Sequence, residues 1–252
     1  MSSSIWMECG GASELRPLRL APWRVVEAQH KVSTRKLVGT AAEQELLEEL
    51  IDSVKPATLA GRRLHYLLFT PFRYPPLRYG SRFGARHEGG IWYGSEKQGT
   101  AFAEVAYYRL LFLEGSHAEL GSVTTSLTAF TVRMRSSNAV DLCSAPFDEY
   151  RSAIASPVSY VESQALGRAM RDSGVELFRF PSARDSSGGA SVGAFSPAVF
   201  HNAKPLRFET WHCTAVPSFV EFARGDFGGR REVFVYGRAQ FEVDGRLPSP
   251  AV

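Results

Sequence analysis

The stretch from Gly99 to Leu113, GTAFAEVAYYRLLFL, constrains the fold more than any other part of the chain. It has the length and spacing of a helix, and its polar positions are few, so the helix has to be mostly buried. Burying it takes a sizeable core. A chain of 252 residues can supply one, because a domain of that size buries roughly three quarters of its unfolded surface. One large domain, or one domain with an appended segment, is therefore enough. With 44% apolar, 22% charged and 12% aromatic residues, the chain falls among ordinary globular proteins, away from disordered, collagen-like or coiled-coil compositions.

The sequence around this helix reads as a mixture of helices and strands. Residues 1 to about 20 are small, polar and Pro-containing, and are expected to form a loose end unless they dock on something. From Thr40 to Val54, helical spacing puts Leu46, Leu47, Leu50, Ile51 and Val54 on one face and glutamates on the other, with Thr40 as N-cap and Lys55-Pro56 as the stop. Leu64 to Pro71 is β-rich and apolar and predicts a strand, ending in a Pro75-Pro76 turn and a glycine-punctuated loop to Gly90. Ile91 to Tyr93, Thr125 to Met134 and Val140 to Leu142 predict further strands, and Ser159 to Asp172 a helix stopped by Ser173-Gly174. Period-2 alternation marks strands at 176–181, 190–195, 206–214, 218–223 and 232–243. The expected class is α+β, a mixed fold with antiparallel, meander-like sheets flanked by helices, since no sustained strand-helix-strand alternation builds a parallel sheet. The expected division is a 1–60 extension carrying one amphipathic helix and a 61–245 main domain that includes the β-rich C-terminal part.

Several function classes are disfavoured by simple counts. Cys9, Cys143 and Cys213 are odd in number and scattered, so they encode neither a disulfide framework nor a zinc site. The histidines lack H-x-x-x-H or H-E-x-x-H spacing, so no metal is expected. No basic start followed by a continuous apolar run and no stretch of eighteen apolar residues occurs, which predicts a soluble, cytoplasmic protein without a membrane span. The formal charge of +3 is small for a phosphate-tracking nucleic-acid binder, and direct nucleic-acid binding is not expected. Arginine nevertheless dominates the basic set, and its planar fork suits bidentate contacts with phosphate or carboxylate.

The informative window runs from Phe69 to Arg109. Arg73, Arg78, Arg82 and Arg86 are interleaved with Phe72, Tyr74, Tyr79 and Phe83. Guanidinium groups beside aromatic rings suit an anionic ligand that also carries flat rings, such as a dinucleotide, although a basic contact surface fits the same composition. Glu104 lies inside the apolar helix, where a charge requires a partner. It either pairs with a loop arginine or faces a cleft, where a carboxylate can stabilise positive charge building on a sugar carbon.

These residues resemble the RES domain family. The resemblance is carried by Phe72-Arg73-Tyr74, Gly80-Ser81-Arg82-Phe83, Ile91-Trp92-Tyr93 and Ala101-Phe102-Ala103-Glu104-Val105, then Ser163-Gln164-Ala165-Leu166-Gly167 and Phe180-Pro181-Ser182-Ala183-Arg184. It implies an ADP-ribosyltransferase-like fold and an NAD-consuming toxin paired with an Xre-type helix-turn-helix antitoxin. By resemblance, Arg73 holds the NAD diphosphate or ribose, Tyr74 and Tyr93 pack the nicotinamide and its ribose, and Glu104 stabilises the oxocarbenium ion. Arg82 joins the NAD-binding set, and Ser182 supports the site by hydrogen bonding. Where many members have Gly-Gly-Arg-Trp-Asn, this chain has Gly80-Ser81-Arg82-Phe83-Gly84 and lacks the asparagine amide.

The nucleophile stays open at this point: water gives glycohydrolysis, inorganic phosphate gives phosphorolysis, and a protein side chain gives ADP-ribosylation. A homodimer is compatible with the extra segments. The rival from another class is a non-catalytic module whose arginine-aromatic loop binds nucleic acid or an acidic protein.

Overall fold

The computed structural model describes residues 4–28, 40, 42, 43, 46, 50, 64–74, 79–116, 118, 120–225 and 231–250. Ten strands form one mixed sheet: β1 (Arg16–Leu20), β2 (Trp23–Glu27), β3 (Trp92–Ser95), β4 (Val123–Thr131), β5 (Met134–Asp141), β6 (Leu177–Pro181), β7 (Ala190–Ala194), β8 (Arg207–Val216), β9 (Phe219–Gly225) and β10 (Arg231–Gly237). The α-helices described from end to end are α1 (Ile5–Glu8), α2 (Tyr66–Arg73), α3 (Gln98–Gly115), α4 (Arg151–Ile154) and α5 (Val161–Asp172). The strand order is β1-β5-β6-β7-β3-β2-β4-β8-β9-β10. Only the β5–β6 pair is parallel, so the architecture is α+β and mostly antiparallel.

This order cannot be laid out flat. Residues 132 and 133 alone separate β4 from β5, and 21 and 22 alone separate β1 from β2, yet each pair stands five places apart in the sheet. Five strand spacings would be about 24 Å in a flat sheet, whereas the three Cα steps across such a link reach about 11 Å. The sheet therefore folds over into two halves, β1-β5-β6-β7-β3 and β2-β4-β8-β9-β10. The two crossing links run side by side, Val132 N donating to Pro22 O at 3.3 Å. At the junction β2 and β3 share one ladder pair, Trp23↔Ser95, while β2 continues along β4 from Trp23 to Glu27.

The apolar helix takes its place against this bent sheet. Phe102, Ala106, Tyr107 and Leu110 of α3 are buried in one cluster with Leu127, Trp211, Val220 and Phe222, and the Phe102 ring stacks on Phe222 at 4.5 Å. The helix is not buried all round, however: Tyr108 and Phe112, one turn apart, are exposed. A second cluster joins Phe83, Phe178, Phe180, Leu166 and Met170, and a third gathers Leu68, Trp92, Phe130, Val192 and Phe200.

Three sequence expectations need correction or a boundary. The N-terminal residues are not loose: Ile5, Trp6 and Cys9 are buried with Phe147 and Phe178, Trp6 stacks on Phe147 at 5.8 Å, and β1 pairs with β5. Average composition hid two large apolar residues that anchor the end. Leu64 to Pro71 is not a strand but mostly helix α2, capped by His65 Nδ1, which accepts from Leu67 N. A short apolar run fits a buried helix turn as well as a strand, and Leu67 and Leu68 settle into the third cluster. The predicted Thr125–Met134 strand breaks at the 132–133 crossing. Thr40 and Glu43 exchange the reciprocal bonds of a capping box at 3.2 and 3.1 Å, in keeping with Thr40 as N-cap. Most of the helix expected to follow, the Lys55-Pro56 stop, Pro75-Pro76 and Arg78 lie outside the described residues.

Candidate active site

Where β2 and β3 part, a cavity of ≈ 360 Å³ opens, walled by Trp23 to Val25 of β2, Tyr93 to Ser95 of β3, Ala101, Glu104 and Val105 of α3, and Ser81 and Arg82 of the preceding loop. Gly94 keeps the parting strands close at its edge. A Cβ there would stand 2.7 Å from Trp23 O and from the Trp92 ring, closer than a side chain tolerates.

Glu104 projects from α3 into this space. Its partner is Ser182, whose Oγ lies 2.6 Å from Oε1. The direction of that bond follows from counting. The Ser182 hydroxyl also accepts from Arg184 N at 3.1 Å and from Asp185 N at 3.2 Å, which occupies both of its lone pairs. Its single proton is thus committed to Glu104, so Oε1 is an acceptor and the carboxylate is fixed in orientation by this bond, with no salt bridge among the described residues.

Two guanidinium groups face the same cavity. Arg82 is 8% exposed; it donates to Ser156 O at 2.8 Å and lies over the Tyr160 ring at 4.8 Å. Arg24 donates to Tyr93 O at 2.5 Å and lies 5.3 Å from the Trp92 ring centroid. Burial pulls its pKa down to about 10, and its Nε has no hydrogen-bond partner among the described residues. Carbonyl oxygens and rings do not neutralise a cation, so two positive groups and one carboxylate leave the walls with a positive excess.

Tyr93 is the polar-tipped wall between them. Its hydroxyl accepts from Phe83 N at 3.2 Å and lies 3.0 Å from Ser81 Oγ. Burial raises its pKa to about 12, so it stays neutral and serves as a hydrogen-bonding group, not a base. Tyr160 and Tyr108 meet hydroxyl to hydroxyl at 3.3 Å across the cavity.

The loop carrying Ser81 and Arg82 is held from α5. Gln164 Nε2 donates to Ser81 O at 3.0 Å and to Tyr79 O at 3.3 Å. A Cβ at Gly167 would meet Phe83 O at 2.1 Å, so only glycine lets the helix approach this closely. Gly80 turns the loop with φ +79°. Phe83 is fully buried, edge-on to Phe178 and Phe180 at 4.9 and 4.8 Å. The Gln164–Gly167 block thus supports the loop and does not line the cavity.

Of the residues singled out from sequence, the structure brings Glu104, Tyr93, Arg82 and Ser182 together. It does not bring Arg73 and Tyr74 with them. Arg73 ends α2 with its guanidinium 5.6 Å from the Phe69 ring, Tyr74 is 45% exposed, and neither lines the cavity. Their segment is instead pressed on Gly90, where a Cβ would stand 1.9 Å from Pro71 O. Arg24 was missed, although an arginine inside the apolar strand WRVV is the same kind of signal as a glutamate inside an apolar helix. Among the described residues no group of three or more His, Cys, Asp or Glu side chains is placed to hold a metal, and no helix is long and apolar enough to cross a membrane.

The family model of the RES domain matches residues 56–215, more than half of the chain. No curated protein matches it. The matched span begins after β2, so Trp23, Arg24 and Val25 enter the cavity from outside it.

Proposed function

Because the chain belongs to the RES domain family, whose role is NAD-related and toxin-like at the level of the family, we propose that it cleaves the nicotinamide–ribose bond of NAD. The observation that carries this is Glu104, a carboxylate oriented by Ser182 in a cavity whose other charges, Arg24 and Arg82, attract an anion.

In this mechanism the arginines hold the diphosphate, with Arg24 taking the part that the resemblance gave to Arg73. Tyr93 and its neighbours enclose the nicotinamide ribose. The C–N bond breaks with its electron pair going to the ring, so nicotinamide leaves neutral and positive charge develops on the ribose carbon. Glu104 faces that charge and lowers its energy by short-range attraction in a partly desolvated site. Water then adds to the ribose carbon and releases a proton to solvent. Inorganic phosphate in its place gives phosphorolysis, and a protein side chain gives ADP-ribosylation. The biological role proposed with this chemistry is that of a cytoplasmic toxin restrained by an Xre-type antitoxin.

The test is nicotinamide release from NAD by the purified chain, with and without phosphate, beside Glu104→Gln. The expected result is release by the wild type and a loss of about 10²- to 10³-fold in the variant, the scale of removing one electrostatic stabiliser. Labelled NAD added with a lysate reads the protein-modifying alternative as labelled bands. If neither protein releases nicotinamide and both bind nucleic acid or acidic protein with steep salt dependence, the chain is the non-catalytic module instead.

A further inference from the structure

We propose that a second hollow adjoining the first receives the adenosine half of NAD, an inference that rests on the activity proposed above. The first cavity, at ≈ 360 Å³, is at the small end of the roughly 300–1,000 Å³ typical of ligand sites, and a dinucleotide needs more room than its nicotinamide end. The second hollow has ≈ 400 Å³ and shares Val25, Val105 and Tyr108 with the first.

Both lie between β2 and α3 and follow the two elements in the same direction. Along β2 the lining passes from Arg24 to Glu27, and along α3 from Glu104 to Phe112. Eight helical residues advance about 12 Å, so the groove leads a ligand away from Glu104 by two turns. Arg24 lines the first hollow but not the second, and its guanidinium is held at Tyr93 O and beside the Trp92 ring, so it is within the first hollow that a diphosphate linker would meet this cation.

The second hollow has the chemistry of a nucleoside site. Phe112 and Tyr108, 57% and 52% exposed, offer ring faces that the protein core does not cover, and Leu127 and Val26 add an apolar floor. Glu27 and Arg109 are paired at 2.6 Å, with the Glu27 side chain 60% exposed. A carboxylate so placed can accept from ribose hydroxyls or an adenine amino group while the flat base stacks on the aromatic rings.

The experiment compares NAD with nicotinamide mononucleotide, which lacks the adenosine half, and measures binding of ADP-ribose separately by calorimetry. Phe112→Ala alters an exposed side chain and leaves the core intact. Loss of one base-stacking contact should raise KM for NAD and weaken ADP-ribose about five- to tenfold. The variant's kcat, and its kcat/KM for the mononucleotide, should match wild type, and Phe112→Trp should restore both affinities. Unchanged KM for NAD and unchanged ADP-ribose affinity in Phe112→Ala overturn the subsite while leaving the cleavage reaction intact. If the wild type releases no nicotinamide, the activity falls. In that event an ADP-ribose affinity lowered by Phe112→Ala upholds the subsite as a binding site, and no difference overturns it as well.

Discussion

Ser182→Ala removes a single oxygen that serves three partners, and its consequences can be worked out separately for stability and for turnover. Two backbone amides, of Arg184 and Asp185, lose their acceptor in a place where Ser182 itself is 6% exposed. An unsatisfied buried donor costs about 1–3 kcal/mol. Water entering the space left by the hydroxyl can satisfy part of this, so a loss near 2 kcal/mol is expected for the pair. For a chain of this length about 2–4 °C of melting temperature goes with each kcal/mol, and the midpoint should fall by about 4–8 °C. The third loss is the bond to Glu104. A hydrogen bond to a charged group contributes about 1.5–3 kcal/mol, and if it is what fixes the carboxylate, kcat for nicotinamide release drops by about 10- to 100-fold. KM for NAD should change little, because Arg24 and Arg82 remain. The assay is initial-rate nicotinamide release at temperatures well below the lowered midpoint. A variant with lowered melting temperature but wild-type kcat would refute the argument that Ser182 orients Glu104, and would reduce its role to tying the 182–185 turn.

Arg24→Gln keeps a donor for Tyr93 O and removes the charge; KM for NAD should rise at least tenfold in the same assay, with a melting temperature equal to or above wild type, because a partly desolvated cation has been removed. Burial alone would raise the pKa of Asp141, but hydrogen bonds from Cys143 N and Ser144 Oγ and the Arg179 guanidinium bring it below the ordinary carboxylate value. A carboxyl whose pKa is lower folded than unfolded adds stability above the unfolded value, and that contribution is lost as pH falls through the folded one. Thermal melts between pH 6 and 2 should therefore lose stability below about pH 4, and Asp141→Asn should be less stable at pH 6 with a shallower acid limb.

What was legible in the sequence was local. Glu104 stood out because a lone carboxylate in an apolar helix has few explanations, and Arg82, Tyr93 and Ser182 fell within blocks of residues tied closely to short turns and strands. Helix α3, helix α5 and most of the C-terminal strands follow from periodicity, which reports burial of one face or both; the strand expected at 232–243 ends at Gly237, where a 3-10 turn, Arg238–Phe241, takes over. The rest depends on distant pairings. Neither β1 against β5 nor the parting of β2 from β3 leaves a mark in any short window, and with the parting unknown there was no reason to prefer Arg24 over Arg73. Helix α2 is the harder case: its run is short and includes Pro71, so the helical spacing of Leu64, Leu67, Leu68 and Phe72, which the third cluster gathers, is easily taken for a strand. The N-terminal end reads as loose because its anchors, Ile5 and Trp6 with Cys9, are few and set among small polar residues.

The two crossings at 21–22 and 132–133 also bear on how this chain can be divided. The half of the sheet on one side of the cavity is built from β1, β3, β5, β6 and β7, the half on the other side from β2, β4, β8, β9 and β10. A break introduced anywhere between residues 28 and 189 separates strands of both halves into different fragments. No cut in that interval releases a fragment that holds one complete half, so two-piece reassembly has no natural seam there. Fusions and tags are best confined to the ends, and a chain nicked within the interval keeps either half of the sheet only while its two fragments stay paired.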